Sequence, residues 1–340
     1  MLDRANEIIA AFGPVLDSSG AFAHPVTRYC LLAIASALVL APIVLVSLHA
    51  LGKLSESTRA DAWTRYWTWL VIIPVVVAPV LWCKLAAILL ITLVALLAYR
   101  EFARATGFFR DRLLSAIVAL GIITMAIAAL DHWYGLFVAV PPLGVAILAG
   151  VAVIKDQPLG YLQRISLGTV SLLLFGSGLM HLAYLTNSPD YRPILLMLLV
   201  ATQTSDVAAY CFGKAFGDRR LFPNTSPRKT LAGHIGAFVV AVALIMVLAH
   251  AIFRGTTIAD WPKLVMLGVF VAIAAQLGDL VLGSIKRDLG LKDLARFLPG
   301  HGGVTDRVNS LLLVAPIAFH YVGYLVGVGL DQPTRIFTGH

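Results

Sequence analysis

Two aspartates lie at either end of a basic, glycine-rich loop in the last quarter of the chain. Residues 276–310 read QLGDLVLGSIKRDLGLKDLARFLPGHGGVTDRVNS. Asp279 falls late in an apolar stretch, where a charged side chain in a membrane helix costs about 2.5–3.5 kcal/mol. A partner, a metal ion or a wet cavity must offset that cost. Asp306 follows the glycines, so the two acids enclose a candidate functional loop.

The loop between these acids has the residue types of a metal–nucleotide site. Adjacent glycines such as Gly302 and Gly303 let backbone amides approach an anion closely. Basic side chains neutralise phosphate oxygens, and carboxylates are the usual protein ligands of Mg²⁺. The cations are Lys286, Arg287, Lys292 and Arg307. The competing interpretation is a cytoplasmic loop whose cations only orient the protein and whose glycines only form a turn.

A second group of polar residues occupies 202–233, TQTSDVAAYCFGKAFGDRRLFPNTSPRKTLAG. Asp206 lies inside an apolar stretch, and Tyr210 follows four residues later on the same helical face. A basic loop with Arg228 and Lys229 comes next, after a turn at Ser226. Asp206 could simply pair with a cation of a neighbouring helix. Ionisable groups inside membrane segments are functional by default, however, so we include Asp206 in the candidate site.

The composition shows what must hold these residues in place. The 340 residues are 59% hydrophobic and 13% charged, whereas a soluble domain carries about 45–50% apolar and about 25% charged residues. The mean hydropathy is +0.87. So much apolar surface cannot be buried in a soluble core, and the bilayer must be the solvent. We therefore predict an all-α, polytopic transmembrane helix bundle with cytoplasmic active-site loops.

About eight to ten spans are expected, because each span needs about 20 apolar residues. The second and third are short and could form a re-entrant pair. The predicted organisation is an interfacial segment (1–29), a transmembrane bundle (30–200), a catalytic transmembrane region (201–330) and a tail (331–340). The predicted spans are 30–51, 68–83, 85–99, 113–130, 135–154, 167–186, 193–213, 231–253, 263–283 and 309–330.

Basic residues concentrate on one side of this arrangement. The segments 52–67, 100–112, 155–166, 214–230 and 284–308 hold 19 of the 26 Lys and Arg residues. The positive-inside rule places these loops in the cytoplasm and both termini outside. The net charge of +8 suits contact with anionic headgroups or an anionic substrate. The usual basic bias of cytoplasmic loops explains it equally well.

The spacing of these motifs resembles that of the phosphatidate cytidylyltransferase (CDP-diacylglycerol synthase) family. Residues 286–307 are similar to its signature: Lys-Arg, four residues, Lys-Asp, then Pro-Gly-His-Gly-Gly, two residues and Asp-Arg. The segments Ser-Asp-x-x-Ala-Tyr and Ser-Pro-Arg-Lys-Thr resemble its companion motifs, and the likeness covers about 204–310. Three positions depart from the pattern, Gly283, Ala232 and Asn309. The resemblance is therefore to a diverged paralogue.

The resemblance implies that CTP and phosphatidate react to CDP-diacylglycerol and pyrophosphate. Asp279 and Asp306 would hold Mg²⁺, as one or two cations, with Asn309 at the position of a third ligand. Asp206 would bind metal or nucleotide. The cations Lys286, Arg287, Lys292 and Arg307 would bind the triphosphate. Ser226, Arg228, Lys229, Thr230, Gly302 and Gly303 would contact substrate phosphates.

His301 lies between the glycines and is a candidate base. A phosphate monoester is already largely ionised at neutral pH, since its second pKa is about 6, so a structural or hydrogen-bonding role is expected for His301 instead. The implied partners are CTP, phosphatidate or a related anionic lipid, and the bilayer, but no nucleic acid; a homodimer is left open. The implied location is integral to the membrane, the inner membrane in a bacterium, with the site facing the cytoplasm.

Two alternative functions also fit the sequence. A CTP-dependent lipid kinase would transfer the γ-phosphoryl group to a lipid alcohol and release CDP. A transporter or non-catalytic membrane scaffold would have kept the helices after losing the chemistry, and the three departures favour it. The intact Lys-Arg, Lys-Asp and Asp-Arg pairs argue against it, because a scaffold requires none of them.

Overall fold

Ten long helices dominate the computed structural model, which describes residues 13, 15–295, 297, 299–300, 302–327 and 335–338. No strand forms within these residues, and the all-α prediction is confirmed. By length and composition each helix could cross a membrane. They are α1 (Pro25–Ala50), α2 (Glu56–Trp82), α3 (Lys84–Ala105), α4 (Arg112–Leu130), α5 (Tyr134–Ile154), α6 (Tyr161–Leu185), α7 (Tyr191–Phe216), α8 (Leu231–Ile252), α9 (Trp261–Asp288) and α10 (Thr305–Val326).

Helices α2 and α3 are longer than the apolar stretches predict. Their 27 and 22 residues correspond to roughly 40 and 33 Å at about 1.5 Å per residue, against a hydrocarbon core of about 30 Å. Each helix is therefore long enough to cross the core alone, which favours two separate spans over the re-entrant pair. Helix α2 begins in a polar segment, where the Ser55 Oγ accepts a hydrogen bond from the Thr58 N–H. Because the helix begins directly after this N-cap, most of the predicted loop 52–67 is helical.

Polar contacts define two opposite ends of the bundle. At one end, Arg192 of α7 donates to the carbonyl oxygens of Leu81 and Trp82, at 3.0 and 3.3 Å, and so caps the last turn of α2. At the other end, Lys155 after α5 pairs with Asp111 before α4. The two longest connections described here, 217–230 and 289–304, lie at this second end. We call it the site end.

A glycine brings α9 and α10 into close contact at the site end. A methyl group on Gly278 would lie 2.5 Å from the Asn309 carbonyl oxygen, so only glycine allows this approach. Small residues commonly permit such backbone contacts between membrane helices. The neighbouring Asp279 is thereby held against the first turns of α10.

Candidate active site

Asp279 accepts hydrogen bonds from a loop residue and from a residue of another helix. The Lys229 Nζ, just before α8, lies 2.5 Å from the Asp279 Oδ2. The Asn309 Nδ2 of α10 lies 2.5 Å from the Asp279 Oδ1. The Asp279 and Lys229 side chains are 23% and 29% exposed, so the pair is reachable from outside the bundle. The structure thus brings residues of both predicted polar segments, 202–233 and 276–310, together at a single carboxylate.

Asp306 forms a second and more deeply buried ion pair. The Lys286 Nζ lies 2.7 Å from the Asp306 Oδ1, and the two side chains are 15% and 7% exposed. The Gly303 N–H donates to the Asp306 Oδ2 at 3.1 Å. Gly302 has a φ of +75°, and a methyl group there would lie 2.8 Å from the Asp306 Oδ2 and 3.5 Å from Asp293. Glycine is required at 302 by both conformation and space.

Asp206 and Arg307 connect the two ion pairs electrostatically. Asp206 interacts with Lys229, Asp279 and Arg307, and Arg307 interacts in turn with Asp306. Asp206 is exposed, and we call the space that it shares with Lys229, Asp279 and Arg307 the cleft. The buried Arg307 Nε has no hydrogen-bond partner among the described residues. An unpaired guanidinium donor beside a cleft is suited to a phosphate oxygen.

The other predicted site residues lie around this cluster. Arg287 is exposed and donates to the carbonyl oxygens of Thr225 and Leu291 at 3.4 and 3.2 Å, so it ties two loops together. Arg228 and Lys292 are exposed on the same loops. The Ser226 N–H and carbonyl both form turn hydrogen bonds. His301 lies outside the described residues.

Thr230 is the N-cap of α8, because its Oγ1 accepts from the Gly233 N–H at 3.2 Å. Replacing a threonine cap with alanine costs about 0.5–2 kcal/mol. We expect Thr230→Ala to lower the thermal unfolding temperature of the detergent-solubilised protein and Thr230→Ser to preserve it. If Thr230→Ala leaves that temperature unchanged, the cap does not support α8.

Helices α2 and α3 also contribute to the site, which the sequence analysis did not predict. The Thr68 Oγ1 of α2 donates to the Pro299 carbonyl at 2.9 Å, and Gly300 packs against Arg65. Glu101 of α3 accepts hydrogen bonds from Val304 and Thr305. Glu101 carried a usable signal, since it is an acid near the end of an apolar stretch.

The donor chemistry of the cluster fits Mg²⁺. No three His, Cys, Asp or Glu side chains within the described ranges form a metal-binding group. Magnesium sites that act on phosphates, however, commonly use one or two protein carboxylates and complete the shell with water and substrate oxygens. Asp279 and Asp306 offer such carboxylates, at present paired with Lys229 and Lys286. The oxygen of the predicted third ligand, the Asn309 Oδ1, accepts a hydrogen bond from the Ser310 N–H at 2.8 Å.

Comparisons with known proteins cover most of the chain. The model of the cytidylyltransferase family matches residues 63–325. The uncharacterized protein YnbB of Escherichia coli K12 is 29% identical over 289 residues, 82% of this chain and 93% of that protein. The phosphatidate cytidylyltransferases of Staphylococcus saprophyticus and Staphylococcus aureus strain COL are 40% and 39% identical over 148 and 150 residues. Each of these two matches covers 44% of this chain and 55% of the relative.

Proposed function

The chain belongs to the cytidylyltransferase family, and we propose that this integral membrane protein transfers the CMP moiety of CTP to phosphatidate. The products would be CDP-diacylglycerol and pyrophosphate. The observation that carries the proposal is the cluster of paired lysines and aspartates at the site end, Lys229 with Asp279 and Lys286 with Asp306. The staphylococcal relatives named as phosphatidate cytidylyltransferases support the choice of reaction.

The chemistry requires two anions to meet. A phosphate oxygen of the lipid attacks the α-phosphorus of CTP, the bond from that phosphorus to the oxygen bridging to the β-phosphate breaks, and pyrophosphate carries away the electron pair. Positioning and charge stabilisation provide most of the rate enhancement in such transfers. No strong base is needed, because the attacking phosphate is already largely ionised near neutral pH, its second pKa being about 6.

The cations of the cluster would neutralise the phosphates. Lys229 and Lys286 each hold one carboxylate. A phosphate could take the place of that carboxylate on the lysine when Mg²⁺ neutralises the released carboxylate, so that no buried charge is left unpaired. Arg307 would donate its free Nε–H to a phosphate oxygen. Mg²⁺, when bound, would neutralise the triphosphate charge, held by Asp279 and Asp306 with Asp206 nearby.

The lipid would reach the cleft from the side. On α7, the residues next to Asp206 are exposed apolar side chains: Val207 is 62% and Tyr210 is 69% exposed. Acyl chains could therefore remain in the bilayer while the headgroup meets the cluster. The many basic residues of the surrounding loops support a cytoplasmic position for this end, where CTP would be available.

The lipid that accepts the transferred group distinguishes this function from that of a lipid kinase. Purified protein is incubated with CTP, Mg²⁺ and mixed micelles that contain either phosphatidate or diacylglycerol, and the water-soluble product is identified. We expect pyrophosphate with phosphatidate and no turnover with diacylglycerol. Release of CDP with diacylglycerol would replace the proposal with CTP-dependent lipid phosphorylation.

Asn309 offers a further test of the cluster. In Asn309→Asp, a second carboxylate would face Asp279 where the amide now donates a hydrogen bond. Two carboxylates this close together, where the Asn309 Nδ2 now lies 2.5 Å from the Asp279 Oδ1, repel each other, and a bound cation relieves that repulsion. We expect half-maximal activity at a lower Mg²⁺ concentration than in the wild type. An unchanged Mg²⁺ dependence would remove residue 309 from the cation site.

A further inference from the structure

Glu101, near the end of α3, binds the glycine-rich segment that leads into α10. Its Oε1 accepts the Val304 N–H at 2.8 Å, and its Oε2 accepts the Thr305 N–H at 2.9 Å. The Thr305 hydroxyl lies 2.8 Å from the same Oε2 and 3.2 Å from the Ala98 carbonyl oxygen. A single carboxylate thus binds two backbone amides and one side chain, 203 residues or more away along the chain.

The segment has room for this carboxylate only because residue 303 is glycine. A methyl group on Gly303 would lie 2.4 Å from the Glu101 Oε2, too close for any real contact. Gly303 is also buried. The second of the two adjacent glycines therefore serves the contact with Glu101, whereas Gly302 faces Asp306 and Asp293.

The contact occurs immediately before the proposed catalytic residues. Thr305 and Asp306 are both buried, and Arg307 follows them in the first turn of α10. The first amides of a helix have no partner within it, and a negative charge there is favourable. Glu101 supplies that acceptor, so its position determines where the first turn of α10 lies.

We propose that Glu101 is a positioning residue, which holds the Val304–Thr305 turn so that Asp306 and Arg307 face the cleft. The expected change in kcat rests on the proposed function. The contact between Glu101 and the turn is independent of that function. Glu101 binds backbone amides rather than substrate phosphates, so it contributes to turnover by orientation. A misplacement of about 1 Å can reduce a rate by about 100-fold.

Glu101→Gln is the informative variant, because a neutral amide keeps the size of the side chain but replaces one acceptor oxygen with a donor. We expect kcat for lipid conversion to fall about 10- to 100-fold, with a smaller change in the KM for CTP. Arg100→Gln is the matched control: its exposed side chain is adjacent on α3, and kcat should be unchanged. If Glu101→Gln does not fold, Thr305→Val removes one hydrogen bond and Thr305→Ser retains it.

Hydrogen–deuterium exchange separates this proposal from the proposed function. In Glu101→Gln or Thr305→Val, the amides of residues 303–306 should exchange several-fold faster than in the wild type, while peptides from α8 remain unchanged. Faster exchange in a protein whose wild type makes no CDP-lipid would support the contact and defeat the reaction. Unchanged exchange at 303–306, or a loss that appears only in the KM for CTP, would overturn the positioning role.

Discussion

Replacing Asp306 or Asp279 with asparagine is expected to abolish CTP-dependent lipid conversion, with turnover falling by at least about 100- to 1000-fold. Each substitution preserves shape but removes the charge that pairs with a lysine and that would hold a cation. Asparagine is a weaker ligand for a hard divalent ion, which prefers carboxylate oxygens. Initial rates of CDP-lipid formation by purified protein measure the effect.

The control for these substitutions lies at the opposite end of α9, the helix that carries Asp279. Asp260, just before α9, forms an exposed pair with Lys263. Asp260→Asn should leave the rate unchanged, since it changes the charge equally but far from the cluster. Membrane insertion and elution in detergent should match the wild type for all three variants. Retained turnover in both Asp279→Asn and Asp306→Asn would refute the assignment of these acids.

Lys286→Met is expected to have the largest effect on stability. It would leave the Asp306 carboxylate, only 7% exposed, without its ion-pair partner, and breaking a buried pair costs about 3–5 kcal/mol. The free energy of unfolding in detergent measures this loss. Activity should also be lost, because the lysine is one of the cations proposed to bind phosphate.

A double substitution separates these two effects. In Lys286→Met with Asp306→Asn, no buried charge remains unpaired, so much of the lost stability should return while activity stays absent. Lys263→Met provides the matched control, because its partner Asp260 is exposed and such surface pairs contribute about 0–1 kcal/mol. If Lys286→Met is no less stable than Lys263→Met, the buried pair does not stabilise the site end.

The sequence was sufficient to predict a charge partner for the acids in apolar stretches, but not its identity. The cost of a charge within a membrane required some compensation for Asp279. Lys229 lies 50 residues away, and its choice over Arg228 depends on how α8 begins after its threonine cap. Only the packing of α8 against α7 and α9 determines which of the two cations faces the cleft.

The contacts that α2 and α3 make at the site could not be inferred from local pattern. Hydropathy identifies the apolar part of a helix and misses its polar first turns, so it predicts a loop for residues 56–67, which are helical in the structure. Glu101 is visible as an acid near the end of an apolar stretch, but its partners are two backbone amides and the Thr305 hydroxyl, and nothing in the sequence indicates that these groups face it. Gly303 is visible in the sequence, but the sequence does not show why a glycine is needed there. The structure shows that it leaves space for a carboxylate from another helix.

The fate of the α-phosphate of CTP tests the central claim most directly. Purified protein is incubated with phosphatidate, Mg²⁺ and CTP labelled at either the α- or the γ-phosphorus, and the label in the lipid fraction is counted. We predict that the α-label enters the lipid in equal amount to the pyrophosphate released, that the γ-label stays in water, and that Asp279→Asn eliminates the transfer. Transfer of the γ-label to lipid, or an undiminished α-transfer in Asp279→Asn, would contradict the account.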